Sequence, residues 1–120
     1  QNTAMPYNSQ PMTALRTIAE TPMFQAHAAA IWSDTDLMAF KVWLAANPEA
    51  GDVVPGSGGV RKVRWSRPGM GKRGGARVIY FNEVHGRIWL LMAYTKAKFD
   101  NLPTEFLVTL RKEIDNAPND

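Results

Sequence analysis

The chain has 120 residues and a formal net charge of +3, from 14 Lys+Arg and 11 Asp+Glu, with no cysteine. That length is one domain's worth and buries about two-thirds of its unfolded surface without a staple. The absent cysteines exclude a disulfide scaffold, a thiolate nucleophile and Cys-ligated zinc or iron–sulfur sites, and fit a reducing compartment.

Residues 1–11 are polar, carry two prolines and lack periodicity. They read as a flexible tail ahead of a single domain over 12–120, with Met12 as a natural start. Residues around Leu15 and Ile18 suit a short strand or an extended lead-in. Thr21-Pro22 opens a helix, since Thr caps the N-terminus and Pro needs no N–H at the first helical position. Phe24, Ala28 and Ile31 share its inner face. Ser33-Asp34 caps a second helix, with Leu37, Phe40 and Leu44 at i, i+3 and i+7 and with Met38 and Trp43 widening the stripe. Asn47-Pro48 ends it. Such a stripe is core and carries no chemistry.

Residues 48–59 form a loop rich in Pro and Gly. The pattern then changes to period 2. Val60–Ser66 is a strand with Arg61, Val63 and Trp65 on one face and Lys62 and Arg64 on the other. A basic loop follows over 67–75. Ala76–Val84 is rich in β-branched and aromatic residues and reads as a second strand. His85-Gly86 suits a tight turn. Arg87–Thr95 is apolar on both faces and should be covered on both. Leu107, Leu110 and Ile114 place a helix over Pro103–Asn116. The predicted class is α+β: two N-terminal helices, an antiparallel meander of three or four strands and a C-terminal helix, with the helices on one side of the sheet.

The charge follows this division. Residues 1–59 and 99–120 each carry a net −3, while residues 60–98 hold ten Lys+Arg against Glu83 alone, a net +9. A block of that sign meets a polyanion or forms a solvated basic sheet surface. The acidic ends are expected to serve fold and solubility. Gly69-x-Gly71-x-x-Gly74 matches a dinucleotide-binding pattern in letters only, because a β-branched strand rather than a helix follows it. It is not a Walker loop either, since Arg73 follows Lys72. Its cations, Arg67, Lys72 and Arg73, suit phosphate contact or plain solvation. His27 and His85 are the only imidazoles and show no metal-ligand spacing, so no metal and no cofactor is expected.

Lys62 and Arg64 lie on one strand face, Arg77 in the next strand and Lys96 at the end of the third. Ordinary registers would bring these four together. Converging cations repel one another, so they make sense with an anion between them. Such crowding also favours a lysine that serves as a base.

The run Val54-Pro55-Gly56-x-Gly58-Gly59-Val60-Arg61-Lys62-Val63-Arg64-Trp65, continued by Arg67-Pro68-Gly69-x-Gly71-Lys72-x-Gly74-Gly75-x-Arg77-Val78-Ile79-Tyr80, resembles the RelE/HigB-like toxins of bacterial type II toxin–antitoxin pairs. Ile88-Trp89, Tyr94-x-Lys96 and Asp100-x-Leu102 continue the likeness, which runs from about Thr21 to Ile114. The resemblance implies a compact α+β fold with a basic concave sheet face. It implies a cytoplasmic, metal-independent endoribonuclease that cuts mRNA in the ribosomal A site through the substrate's own 2′-hydroxyl. Its partner would be a HigA-like helix-turn-helix antitoxin, with operator DNA contacted only through that antitoxin and no membrane involved. By the same resemblance Lys62, Arg64, Arg77 and Lys96 are the catalytic residues, with Lys62 the best candidate base. Arg61, Arg67, Lys72, Arg73 and Lys98 would bind neighbouring RNA phosphates.

The chain departs from the pattern at two points. Some relatives place a tyrosine near the start of the last helix, where this chain reads Asn101-Leu102-Pro103-Thr104-Glu105-Phe106. Others use histidines, and none is near Lys96 in sequence. Tyr94 shares a strand face with Lys96 and stands either as a substitute or as core. Two other functions stay open: a non-catalytic RNA- or ribosome-binding module, and a degenerate toxin acting only through its antitoxin.

Overall fold

A computed structural model describes residues 16–66, 75–83, 86–99 and 101–115. The expected flexible tail and the 67–74 part of the basic loop lie outside the described residues. The elements run β1 (Thr17–Glu20), α1 (Pro22–Ala29), α2 (Asp34–Ala46), β2 (Asp52–Val53), β3 (Arg61–Trp65), β4 (Ala76–Asn82), β5 (Arg87–Thr95) and α3 (Thr104–Asp115).

Local chemistry accounts for the helix starts. Thr21 Oγ1 accepts from the Phe24 N–H at 3.1 Å and donates to the Leu91 carbonyl at 3.1 Å, so one hydroxyl caps α1 and ties it to β5. Ser33 Oγ accepts from the Asp36 N–H at 3.2 Å and caps α2, where Asp34 and Asp36 also match the positive end of the helix dipole. α1 stops at Ala29, so Ile31 packs on the core from beyond the helix end.

The α+β class is as expected, with three differences of detail. The sheet has five strands in the order β1-β5-β4-β3-β2, one more than the largest number expected. It is mixed rather than antiparallel throughout, because β1 runs parallel to β5. The helices also cover both faces rather than one. Strand alternation explains the last point. Val63, Val78, Tyr80, Ile88 and Leu90 face the core shared with Phe24, Phe40 and Leu44 of α1 and α2. Ile79, Leu91 and Met92 face the core shared with Leu107 and Leu110 of α3. β5 is buried from Ile88 to Tyr94 because helices press on it from both sides. The stripe on α2 is narrower than expected: Met38 is 54% exposed, as is Val42 one turn on.

Trp65, at the end of β3, is held from α2. Its ring lies 5.3 Å from Phe40 in an edge-on contact and 5.0 Å from Trp43. Aromatic contacts of this kind each add about 0.5–1.5 kcal/mol beyond area burial. They fix the strand that carries Lys62 and Arg64.

Tyr80 fixes the other flank. Its fully buried hydroxyl accepts from the Gly51 N–H at 2.9 Å and donates to the Pro48 carbonyl at 2.9 Å, pinning the chain between α2 and β2. Burial pushes the phenol above its ordinary value of 10.0, opposed by the Gly51 hydrogen bond. A raised folded-state value keeps this contribution intact below about pH 10, where the unfolded phenol begins to ionise, and removes it as pH climbs above that. Tyr80→Phe strands one donor and one acceptor and should cost about 1–3 kcal/mol at neutral pH. Denaturant titrations of both forms at pH 7 and pH 11 check this, since the gap should narrow at the higher pH.

Candidate functional site

The register that the sequence left open is fixed by the sheet. Arg64 pairs with Arg77, which pairs with Tyr94. One step along, Asp52 pairs with Lys62, which pairs with Ile79. Directly paired residues share a face, so Lys62, Arg64 and Arg77 project from the α3 side of the sheet. They line one open groove of about 520 Å³ together with Lys96, Asp52 and Asn101. All four residues expected to carry the chemistry therefore meet there. Arg64 and Arg77 stand directly opposite one another, an arrangement that costs stability in the absence of an anion.

Two groove residues were missed in the sequence. Asn101 enters from the irregular stretch 101–103 just before α3. Asp52 comes from β2, a strand that sequence reading had folded into the 48–59 loop. The signal for it was present. Val53-Val54 precedes Pro55-Gly56, and Val60 follows Gly59, as in the two arms of a hairpin around a tight turn. The structure closes that hairpin through Val54 N–H to the Val60 carbonyl at 2.8 Å. Inside the turn, Ser57 Oγ is fully buried and accepts from the Val60 N–H at 3.0 Å. The acidic N-terminal part of the chain thus contributes to the groove and does not serve fold and solubility alone.

Arg61 is not brought into the groove. It alternates to the opposite face, and its Nη1 donates to the Gly51 carbonyl at 2.6 Å and the Glu49 carbonyl at 3.3 Å. Its observed work is to hold the chain entering β2. Lys98 lines a separate cavity of about 180 Å³ with His27, Ile31 and Thr95. Here the fold supplies what sequence distance concealed, an imidazole, His27, that shares a cavity with Lys98 beyond the end of β5. Arg67, Lys72 and Arg73 lie outside the described residues.

Tyr94 resolves toward core. It is 2% exposed, with its ring edge-on to Phe99 at 6.2 Å. Burial raises its phenol above 10.0, and nearby Arg77 only partly offsets this. The phenol therefore keeps its proton at neutral pH and is not a base there. It forms one wall of a recess of about 270 Å³ that shares Lys62 and Asn101 with the groove and is otherwise lined mainly by Val54, Ile79, Leu102 and Leu107. An apolar recess beside a cationic groove suits a planar base joined to a phosphate.

Among the described residues no helix is long and apolar enough to cross a membrane. No family model matches the chain. The fold is that of a RelE-like toxin. It is similar to the free-state structure of an E. coli RelE toxin carrying two arginine-to-alanine changes, with a TM-score of 0.58 and 12% identity, covering 82% of this chain and 98% of that one.

Proposed function

We propose that this chain is the toxin of a type II toxin–antitoxin pair, a ribosome-dependent mRNA endonuclease that works in the cytoplasm. One observation carries the reading: Lys62, Arg64, Arg77 and Lys96 line a single groove on a RelE-like fold. Four cations in one open groove are stabilised by a polyanion, and a bent RNA backbone presents successive phosphates to such a site.

The reaction this groove supports is transesterification by the RNA itself. The 2′-oxygen attacks the adjacent phosphorus, and the P–O5′ bond breaks. The products are a 2′,3′-cyclic phosphate and a 5′-hydroxyl. The protein must align the two oxygens, move two protons and stabilise charge on the phosphorane. Arg64 and Arg77 suit the last task, because a guanidinium fork can hold two phosphate oxygens at once. Fixed guanidinium and ammonium groups supply the positive charge that a divalent ion supplies elsewhere, so the reaction proceeds without metal. Ribosome dependence follows from an open groove that needs the strand presented to it in a bent conformation. The proposed partner that silences the toxin is a HigA-like helix-turn-helix antitoxin, which also carries the contact with operator DNA.

The test is brief induction followed by 5′-end mapping of translated and untranslated copies of one mRNA. Cuts confined to translated copies are expected. Purified protein on programmed ribosomes should give the same cuts in excess EDTA, provided the ribosomes are kept intact with polyamines. Translation arrest without cuts would replace this reading with a non-catalytic RNA- or ribosome-binding module.

A further inference from the structure

The groove contains one group that a purely cationic clamp does not require. Asp52 is exposed, lies directly across the β2–β3 pair from Lys62 and lines the same groove as Lys62, Arg64, Arg77 and Lys96. An acid there works against RNA binding by simple charge. The fold nevertheless holds it with care. The preceding residue, Gly51, donates to Tyr80 Oη at 2.9 Å and accepts from Arg61 at 2.6 Å. Gly51 also sits so close to β3 that a Cβ would lie 2.8 Å from the Lys62 carbonyl oxygen. A solvated surface acid needs no such anchoring.

We infer that Asp52 takes the proton from the attacking 2′-hydroxyl and that Lys96 gives a proton to the departing 5′-oxygen, with Lys62, Arg64 and Arg77 holding the phosphate between them. This rests on the nuclease reading above. It moves the role of base away from Lys62. A carboxylate has lone pairs that can accept a proton, whereas an ammonium has only donors and serves the phosphate as a cation. The sheet order supports the division of labour. In-line displacement places the entering and leaving oxygens on opposite sides of phosphorus. Asp52 stands on β2 and Lys96 just past β5, at opposite ends of the β2-β3-β4-β5 series, with the arginines on the strands between. Asp52 is level with Met92 across the sheet, so three strand spacings of about 14 Å in all and a four-residue offset of about 13 Å along the strand put the Asp52 and Lys96 backbones about 19 Å apart, which an Asp and a long Lys side chain reaching inward narrow to the span of one phosphodiester with its two hydrogen bonds.

The protons balance. Asp52 becomes a neutral carboxylic acid as the O2′–P bond forms. Lys96 becomes a neutral amine as the P–O5′ bond breaks and the 5′-hydroxyl leaves. Solvent then takes the proton from Asp52 and returns one to Lys96, and no water is consumed.

The experiment compares wild type, Asp52→Asn, Asp52→Glu and Lys96→Ala in single-turnover cleavage on programmed ribosomes and in RNA binding. Loss of a catalytic base costs about 10²–10⁴-fold in rate. Asp52→Asn is expected to fall by that factor while binding RNA as tightly as wild type or more tightly, which also shows that it folds. Asp52→Glu should regain part of the rate. An mRNA with sulfur in place of the bridging 5′-oxygen has a leaving group that needs no proton, so it should rescue Lys96→Ala and leave Asp52→Asn slow. Asp52→Asn cleaving within about threefold of wild type overturns the assignment and leaves Asp52 a mere tuner of groove charge. Failure of sulfur to rescue Lys96→Ala overturns the other half. A wild-type protein that binds programmed ribosomes without cutting removes the nuclease reading itself, a result distinct from either.

Discussion

Arg77→Ala should lower cleavage by about 10²–10³-fold, the usual cost of removing one preorganised donor from a developing negative charge. Arg77 is the middle residue of its row, half-buried on β4 between Arg64 on β3 and Tyr94 on β5. Lys62 also has strands on both sides, but its paired neighbours are Asp52 and Ile79 rather than a second cation. The fold should survive the change, and its stability should hold or rise. Like charges directly opposite in a sheet are destabilising by roughly 0.2–1 kcal/mol, and the variant relieves the Arg64–Arg77 pair of that cost. The opposed signs, a large loss of rate with no loss of stability, mark a residue kept for an anion. Arg77→Lys should recover only part of the rate, because an ammonium keeps the charge and loses the fork. Single-turnover cleavage and thermal unfolding of the three proteins decide it. An alanine variant that cuts within threefold of wild type would remove Arg77 from the chemistry.

The contrast between these four cations and Asp52 shows how far the sequence could be read. Lys62 and Arg64 announced themselves because a strand has period 2 and the basic residues alternate with Val63 and Trp65. The helices were legible for the same kind of reason: Thr21-Pro22 and Ser33-Asp34 are capping chemistry, and capping is local. What escaped was whatever depends on pairing over long range. β1 has only four residues, and nothing within them says that they lie parallel to β5 about seventy positions later. The covering of both faces was half visible in Arg87–Thr95, whose unbroken apolar run already called for cover on two sides. β2 has two residues and no hydrophobic alternation at all, so a Pro/Gly-rich stretch concealed it. Arg61 shows the reverse error. Its charge suggested RNA, and its place one step out of phase with Lys62 turned it toward the Glu49 and Gly51 carbonyls instead. Charge is read from composition, but the partner of a charge is read only from the fold.

Gly51→Ala should damage stability and activity together, unlike any change in the groove itself. Gly51 is buried where the chain enters β2, and an added Cβ would stand 2.8 Å from the Lys62 carbonyl oxygen and 2.9 Å from the Tyr80 ring. The first of these neighbours is backbone, held in the β2–β3 and β3–β4 ladders, and cannot swing aside as a flexible side chain would. Two relaxations remain. The site can stay overpacked, at about 1–3 kcal/mol. Alternatively β2 can move away from β3, which breaks the Gly51–Tyr80 and Gly51–Arg61 hydrogen bonds and carries Asp52 out of register with Lys62. For a domain near this size, each kcal/mol lowers the melting temperature by roughly 4–8 °C. Adding Tyr80→Phe should not restore the loss, because the Phe ring keeps the edge that the Cβ meets and the Lys62 carbonyl is untouched. Melting curves and cleavage rates of the single and double variants test this directly. A Gly51→Ala protein that melts and cuts like wild type would mean that β2 does not depend on this close approach, and that Asp52 is held by its cross-strand pairing alone.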